Sequence, residues 1–143
     1  CGPLGYVEEG RVRWTHACPV TATAALPLPV ALPTTTVLPR VEIIMNYVGA
    51  TGDTVRALCL AQAGDAAPVR GLVVAGTGNG TVHADLEVAL RDVQALGIRV
   101  VRSSRCAYGR VVPGPQAGDL AHSQGLSPVK ARIALMLELM SGS

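Results

Sequence analysis

The 143 residues are the length of one domain, and 49% of them are hydrophobic, ample for a full core. The net charge is only +2, and its eleven Arg and single Lys130 are scattered rather than clustered, which argues against a nucleic-acid partner. No apolar run is long enough to span a bilayer, and no signal peptide is visible, although a chain without its own start methionine can have lost one.

In chain order, "GYVEEGRVRWTH" reads as a β-hairpin around Glu8-Glu9-Gly10. From Pro19 to Pro39 there are five prolines, with many Thr and Ala, a composition that sustains neither a helix nor a central strand. We read it as an extended linker, dividing the chain into a hairpin over residues 1–18, a linker over 19–40 and a regular unit over 41–143. "VEIIMNYV" is a β-rich run leading into "GATGD". Thr54 to Ala63 is predicted helical, with Asp53 as cap and Gly64 as stop. "VRGLVVAG" is a strand apolar on both faces. Val82 to Leu96 is predicted as a helix with Val82, Leu86, Ala89, Val93 and Leu96 on one stripe and a Glu87–Arg91 pair outside it. Gly97 ends it and "IRVVRSS" is the next strand. After the long loop "RCAYGRVVPGPQAGDLAHSQG", Ser127-Pro128 opens a last helix with Ser as N-cap. Along that helix Val129, Ile133, Met136, Leu137 and Met140 form one stripe, with Leu135 and Leu139 apolar on the other side; such a helix is expected to be buried on more than one face. Alternating strands and helices with short links imply a small parallel sheet of roughly four strands flanked by helices, an α/β fold.

The four cysteines are Cys1, Cys18, Cys59 and Cys106. They form no CxxC pair, and no histidine stands at a zinc-like spacing from them, so no zinc site is expected; with this much apolar content, a disulfide scaffold is not expected either. Cys59 falls in an apolar helical stretch and reads as core. Cys106 lies in a loop beside Arg102 and Arg105, an environment that favours a thiolate, though a passive loop thiol accounts for it as well.

Ligands of parallel sheets bind outside the carboxyl ends of the strands. Three loops meet that edge: "NYVGATGD", "AGTGNGT" and "RSSRCAYGR". The glycines at 76, 78 and 80 are out of GxGxxG register, and the next strand ends in Arg102 rather than an acid, so dinucleotide binding is disfavoured. No Lys-Ser or Lys-Thr follows, which excludes a Walker A loop. Ser103, Ser104, Thr77 and Cys106 are the candidate nucleophiles at this edge, with His83, read as one turn into the second helix, the nearest base; the two serines read equally as caps of the next turn, and His83 as a solvated helix residue. There is no GxSxG elbow, and His16 and His122 have no acidic neighbour. Cys1 with its own α-amine as base is a further candidate nucleophile, unsupported by the rest of the chain. Asn79, central in the glycine-rich turn, has two readings: a ligand contact, or a residue chosen because asparagine tolerates left-handed backbone.

In combination, "GPLGYVEEGRV", "LPRVEIIMNYVGA", "GLVVAGTGNGTV", "GIRVVRSSR" and "GLSPVKARIALMLEL" closely resemble the C-terminal domain of bacterial L-asparaginases, nearest the type II enzymes. The resemblance implies an amidohydrolase that converts asparagine, and in some members glutamine, to the acid and ammonia. It implies a Rossmann-like, flavodoxin-like C-terminal domain, a threonine nucleophile in an N-terminal domain, no metal and no organic cofactor. Thr34, Thr35 and Thr36 match no catalytic threonine, so no catalytic residue is expected in this chain, and its start at Cys1 is expected to fall near the end of the N-terminal domain. The resemblance further implies a homotetramer whose sites form across a subunit interface. Asn79 would be supplied there to the substrate's α-amino end, with Gly78 and Gly80 letting the backbone approach closely. An acidic residue comes from the long loop, and Asp119 is the only acid in it. The implied compartment is bacterial cytoplasm or periplasm. Two other readings stay open: an asparaginase-like subunit of a tRNA-dependent amidotransferase, and a non-catalytic α/β binding module.

Overall fold

The computed structural model describes residues 3–8, 10–14, 37–60, 62, 64–112 and 119–141. The hairpin is present: β1 (Gly5–Glu8) pairs antiparallel with β2 (Arg11–Trp14), Val7 opposite Val12 and Glu8 opposite Arg11. Val7, Val12 and Trp14 are exposed. Most of the Pro-rich linker lies outside the described residues, as do Cys1, Cys18, His16 and the Thr34–Thr36 run.

The expected parallel sheet is formed by β3 (Arg40–Met45), β4 (Val69–Gly76), β5 (Arg99–Ser104) and β6 (Ala121–His122), in the order β3-β4-β5-β6 with every neighbour parallel. β6 went unforeseen because two residues inside a long loop carry no readable periodicity. The helices are α1 (Asp53–Leu60), α2 (Ala84–Ala95) and α3 (Pro128–Ser141). Because the described strand order is sequential, successive crossovers of one hand put α1 and α2 on the same face, and α3 covers the other. Two cores follow from the pleat. Leu72 and Val74 meet Val55, Cys59, Leu86, Leu90 and Val93 on the α1–α2 side. Val41, Val73 and Val101 meet Ala131, Leu135 and Met136 on the α3 side. β4 therefore reads as a continuous apolar run because both its faces are buried.

The helix boundaries differ from expectation for local reasons. Asp53 lies inside α1 rather than capping it: the Arg56 N–H donates to the Gly52 carbonyl at 2.9 Å, and the Thr51 hydroxyl donates to Asp53 Oδ2 at 2.8 Å. The described helix runs to Leu60 and Gln62 lies outside it; Gln62 Nε2 donates to the Cys59 carbonyl at 2.8 Å while Gln62 Oε1 accepts from the Val69 N–H. One side chain thus caps α1 and anchors the start of β4. α2 begins at Ala84, not Val82, and His83 is its N-cap rather than a residue one turn inside; its Nδ1 accepts the Asp85 N–H at 3.4 Å. The buried stripe of α2 is Leu86, Ala89, Leu90 and Val93, whereas Leu96 is 65% exposed just past the helix end. Glu87 and Arg91 pair at 2.7 Å as expected. The Gly97 and Ile98 N–H groups close the helix on the carbonyls of Gln94 and Val93.

In α3, Pro128 opens the helix and the Ser127 carbonyl accepts the Ala131 N–H at 2.8 Å. Leu135, Ala131 and Met136 pack on the sheet, so the expected stripe divides: Met136 turns to the core, while Val129 and Ile133 are 67% and 49% exposed.

Candidate functional site

The glycine-rich turn leaves β4 at its carboxyl end and folds back on itself. The Thr77 N–H donates to the Thr81 carbonyl at 3.0 Å and the Thr81 N–H to the Thr77 carbonyl at 2.9 Å, an isolated antiparallel bridge. Asn79 stands exposed at the tip, between Gly78 (φ +49) and Gly80 (φ +87), both left-handed. The Gly80 position is crowded as well, because a Cβ there would lie 2.8 Å from Val111 Cγ2. The turn therefore needs glycine at 80 for its own closure, whatever approaches it from outside.

Both flanks of the turn are held. On the β5 side, the Ser104 hydroxyl donates to the Gly78 carbonyl at 2.7 Å and accepts the Cys106 N–H at 3.1 Å. The Gly78 N–H points at Cys106 Sγ at 3.3 Å, the Arg105 N–H donates to the Gly76 carbonyl at 2.8 Å, and the Val112 N–H to the Asn79 carbonyl at 3.2 Å. On the β3 side, buried Asn46 accepts the His83 N–H at 2.8 Å and donates to the Thr81 carbonyl at 3.2 Å. The backbone of the tip is thus immobilised by neighbours while the side chains of Asn79 and Thr81 point to open surface. Rigid presentation of hydrogen-bonding side chains is what this arrangement supplies chemically.

Three of the candidate nucleophiles at this edge are hydroxyls engaged with carbonyls, whereas Cys106 is an exposed free thiol. Ser103 has no exposed surface and donates to the Leu126 carbonyl at 2.7 Å; Ser104 braces Gly78; Thr77 Oγ1 lies 3.4 Å from the Thr81 carbonyl. Among the described residues none of these hydroxyls is hydrogen-bonded to a histidine, and His83 serves the helix cap. No three His, Cys, Asp or Glu side chains among the described residues come together as a metal site. Asp119 lies two residues before β6, with Oδ1 at 3.8 Å from Arg91, which is eight residues, about 12 Å, along α2 from the His83 cap.

Asn46 is the position whose role the linear reading missed: the available signal was a polar residue following an apolar strand, but its partner lies 35 residues away. Ser104 caps the next turn at the Cys106 N–H, as two serines ending a buried strand led one to expect, and its second partner, 26 residues away, was not legible. The two thiols differ in kind. Burial pushes the Cys59 thiol above its ordinary range, with Arg40 opposing, while Cys106 is exposed. Alkylation followed by peptide mapping is therefore expected to label Cys106 in the native protein and Cys59 only on unfolding. Native-state labelling of Cys59 at the rate of Cys106 would contradict this burial.

Residues 40–143 match the family described as the Glutaminase/Asparaginase C-terminal domain. The chain is 32% identical over 142 residues to L-asparaginase 2 of Escherichia coli (strain K12), covering 96% of this chain and 38% of that protein. It is 34% identical over 145 residues to the glutaminase-asparaginase of Pseudomonas fluorescens biotype A, covering 96% and 37%. Among solved structures, a probable cytoplasmic L-asparaginase from Campylobacter jejuni superposes with a TM-score of 0.73 at 31% identity, over 96% of this chain and 42% of that one. The sheet, the helices and the braced turn define an α/β domain of the asparaginase type. The chain belongs to the glutaminase/asparaginase family and carries its C-terminal domain. It spans well under half the length of these relatives. No helix among the described residues is long and apolar enough to cross a membrane.

Proposed function

We propose that this chain serves as the C-terminal domain of an amidohydrolase acting on L-asparagine, with L-glutamine as a second substrate, in the cytoplasm or periplasm of a bacterium. The observation that carries the reading is Asn79, exposed at the tip of a turn braced on both flanks, in a chain of this family. Asn79 contacts the α-amino end of substrate across a subunit boundary, Gly78 and Gly80 keep the approach clear, and the threonine nucleophile comes from a domain outside this chain. No metal or organic cofactor takes part. The exposed apolar face of the hairpin suits a strand pair that completes a larger sheet, and residues 1–18 are the end of that neighbouring domain.

The chain alone is expected to hydrolyse neither amide, since it supplies no paired nucleophile, base and oxyanion donors. Hydrolysis by the rigorously purified chain would overturn that. In a full-length enzyme carrying this domain, Asn79→Ala is expected to lower kcat/KM roughly ten- to a hundredfold, the worth of a hydrogen bond to a charged group. Melting should be nearly unchanged, because an exposed loop side chain buries little. Lost stability with unaltered kinetics would make Asn79 a turn-former only. A silent Asn79→Ala alongside a raised KM in Thr81→Val would move the contact to the other exposed side chain of the turn.

The enzyme is a homotetramer in this reading, and the outer face of α3, with Val129 and Ile133 exposed, is an assembly surface. Ile133→Glu is expected to lower the mass seen by light scattering. A strictly monomeric wild-type chain at high concentration would count against it.

A further inference from the structure

Asn46 follows β3 directly, in a setting that the end of an apolar strand does not require. It is only 5% exposed. Its backbone N–H continues the ladder to the Ala75 carbonyl at 3.1 Å, and both ends of its side-chain amide are used. Oδ1 accepts the His83 N–H at 2.8 Å and Nδ2 donates to the Thr81 carbonyl at 3.2 Å. Those two groups flank Val82, the residue joining the glycine turn to α2. The Thr81 carbonyl is also the acceptor that closes the turn on Thr77. Any displacement of Thr81 is therefore passed to the bridge that holds the tip.

An amide is suited to this place by its chemistry. It donates and accepts at once, at a fixed separation. Aspartate of the same shape keeps the acceptor for His83 but has no donor, and it sets a negative charge against the Thr81 carbonyl. Serine is too short to bridge both groups.

We propose that Asn46 is a positioning residue, whose side-chain amide sets the height and angle of the Thr77–Thr81 turn and so aims Asn79 at the substrate. The inference rests on the reading of Asn79 given above. It adds that affinity is controlled from β3, through a residue that itself touches no substrate.

Asn46→Asp is the first variant and Asn46→Ser the second, should the charge prevent folding. In the 143-residue chain, amide resonances of residues 77–83 are expected to move while those of α3 stay in place. Turn resonances that stay at their wild-type positions in a folded variant would overturn the proposal. In the full-length enzyme, KM is expected to rise about two- to tenfold with kcat little changed, the scale of one hydrogen bond. In an Asn79→Ala background the same Asn46 substitution should add nothing further, because its effect passes through Asn79. Additive effects, or an unchanged KM in an enzyme where Asn79→Ala does raise it, would also overturn the proposal. If Asn79→Ala is kinetically silent while the turn resonances move in Asn46→Asp, the substrate role of Asn79 fails and the control of the turn by Asn46 stands.

Discussion

Leu90→Ala is expected to destabilise the domain by about 2–5 kcal/mol. Leu90 has no exposed surface, and it packs in the cluster of Leu72, Val74, Leu86 and Val93 between α2 and the sheet. Truncation removes its share of buried apolar surface and leaves a cavity, because α2 is pinned at its start by the His83 cap and at its end by the Gly97 closure. For a domain of ordinary stability, roughly 5–15 kcal/mol, that is a large part of the total. Urea unfolding should show a lower midpoint with the slope unchanged. Val88→Ala, two residues away on the exposed side of the same helix, is the control, and its effect should fall within about 0.5 kcal/mol. Equal effects of the two substitutions would mean that the buried face of α2 has been misassigned.

Gly76→Ala is expected to cost about 1–3 kcal/mol, as overpacking does, and to displace the whole turn. A Cβ at this position would lie 2.7 Å from the Gly80 carbonyl carbon and 2.8 Å from the oxygens of Gly80 and Thr81. All three neighbours are backbone atoms, so no side chain can swing aside. Relief requires the two arms of the turn to part, which stretches the Thr77–Thr81 bridge and the Arg105 bond to the Gly76 carbonyl. Gly78→Ala meets nothing within 4 Å, so its penalty comes from the left-handed backbone alone. The two variants should therefore separate: Gly76→Ala shifts amide resonances across the whole turn and residues 105–112, and Gly78→Ala, which creates no clash, shifts them only around Gly78 and its partners Ser104 and Cys106. Wild-type melting together with unmoved turn resonances in Gly76→Ala would show that the arms are not in contact.

Much of the fold was legible in the linear chain because its signals are local. Apolar runs of strand length, the Ser127-Pro128 opening, Gly97 after the α2 stripe and the Glu87–Arg91 spacing each act within a few residues. The family, too, was legible from motif combination, since "GTGNGT", "VVRSSR" and "SPVKAR" are short contiguous words. Sequence alone therefore determined an α/β domain with a parallel sheet, and it singled out the turn carrying Asn79. It could not determine where α1 and α2 begin or end, because those boundaries depend on the side chains of Thr51, Gln62 and His83 finding backbone partners. Nor could it show that Ser103 and Ser104, read as candidate nucleophiles or turn caps, are bound to carbonyls of Leu126 and Gly78. Only the tertiary structure decided that Met136 turns to the core while Ile133 stays exposed, and that Asp119 faces Arg91. It alone revealed Asn46 as the clamp of the turn. The physical reason is the same in each case: periodicity and capping are written in neighbours along the chain, whereas the partner of a buried polar group is chosen by whatever the fold brings within hydrogen-bonding reach.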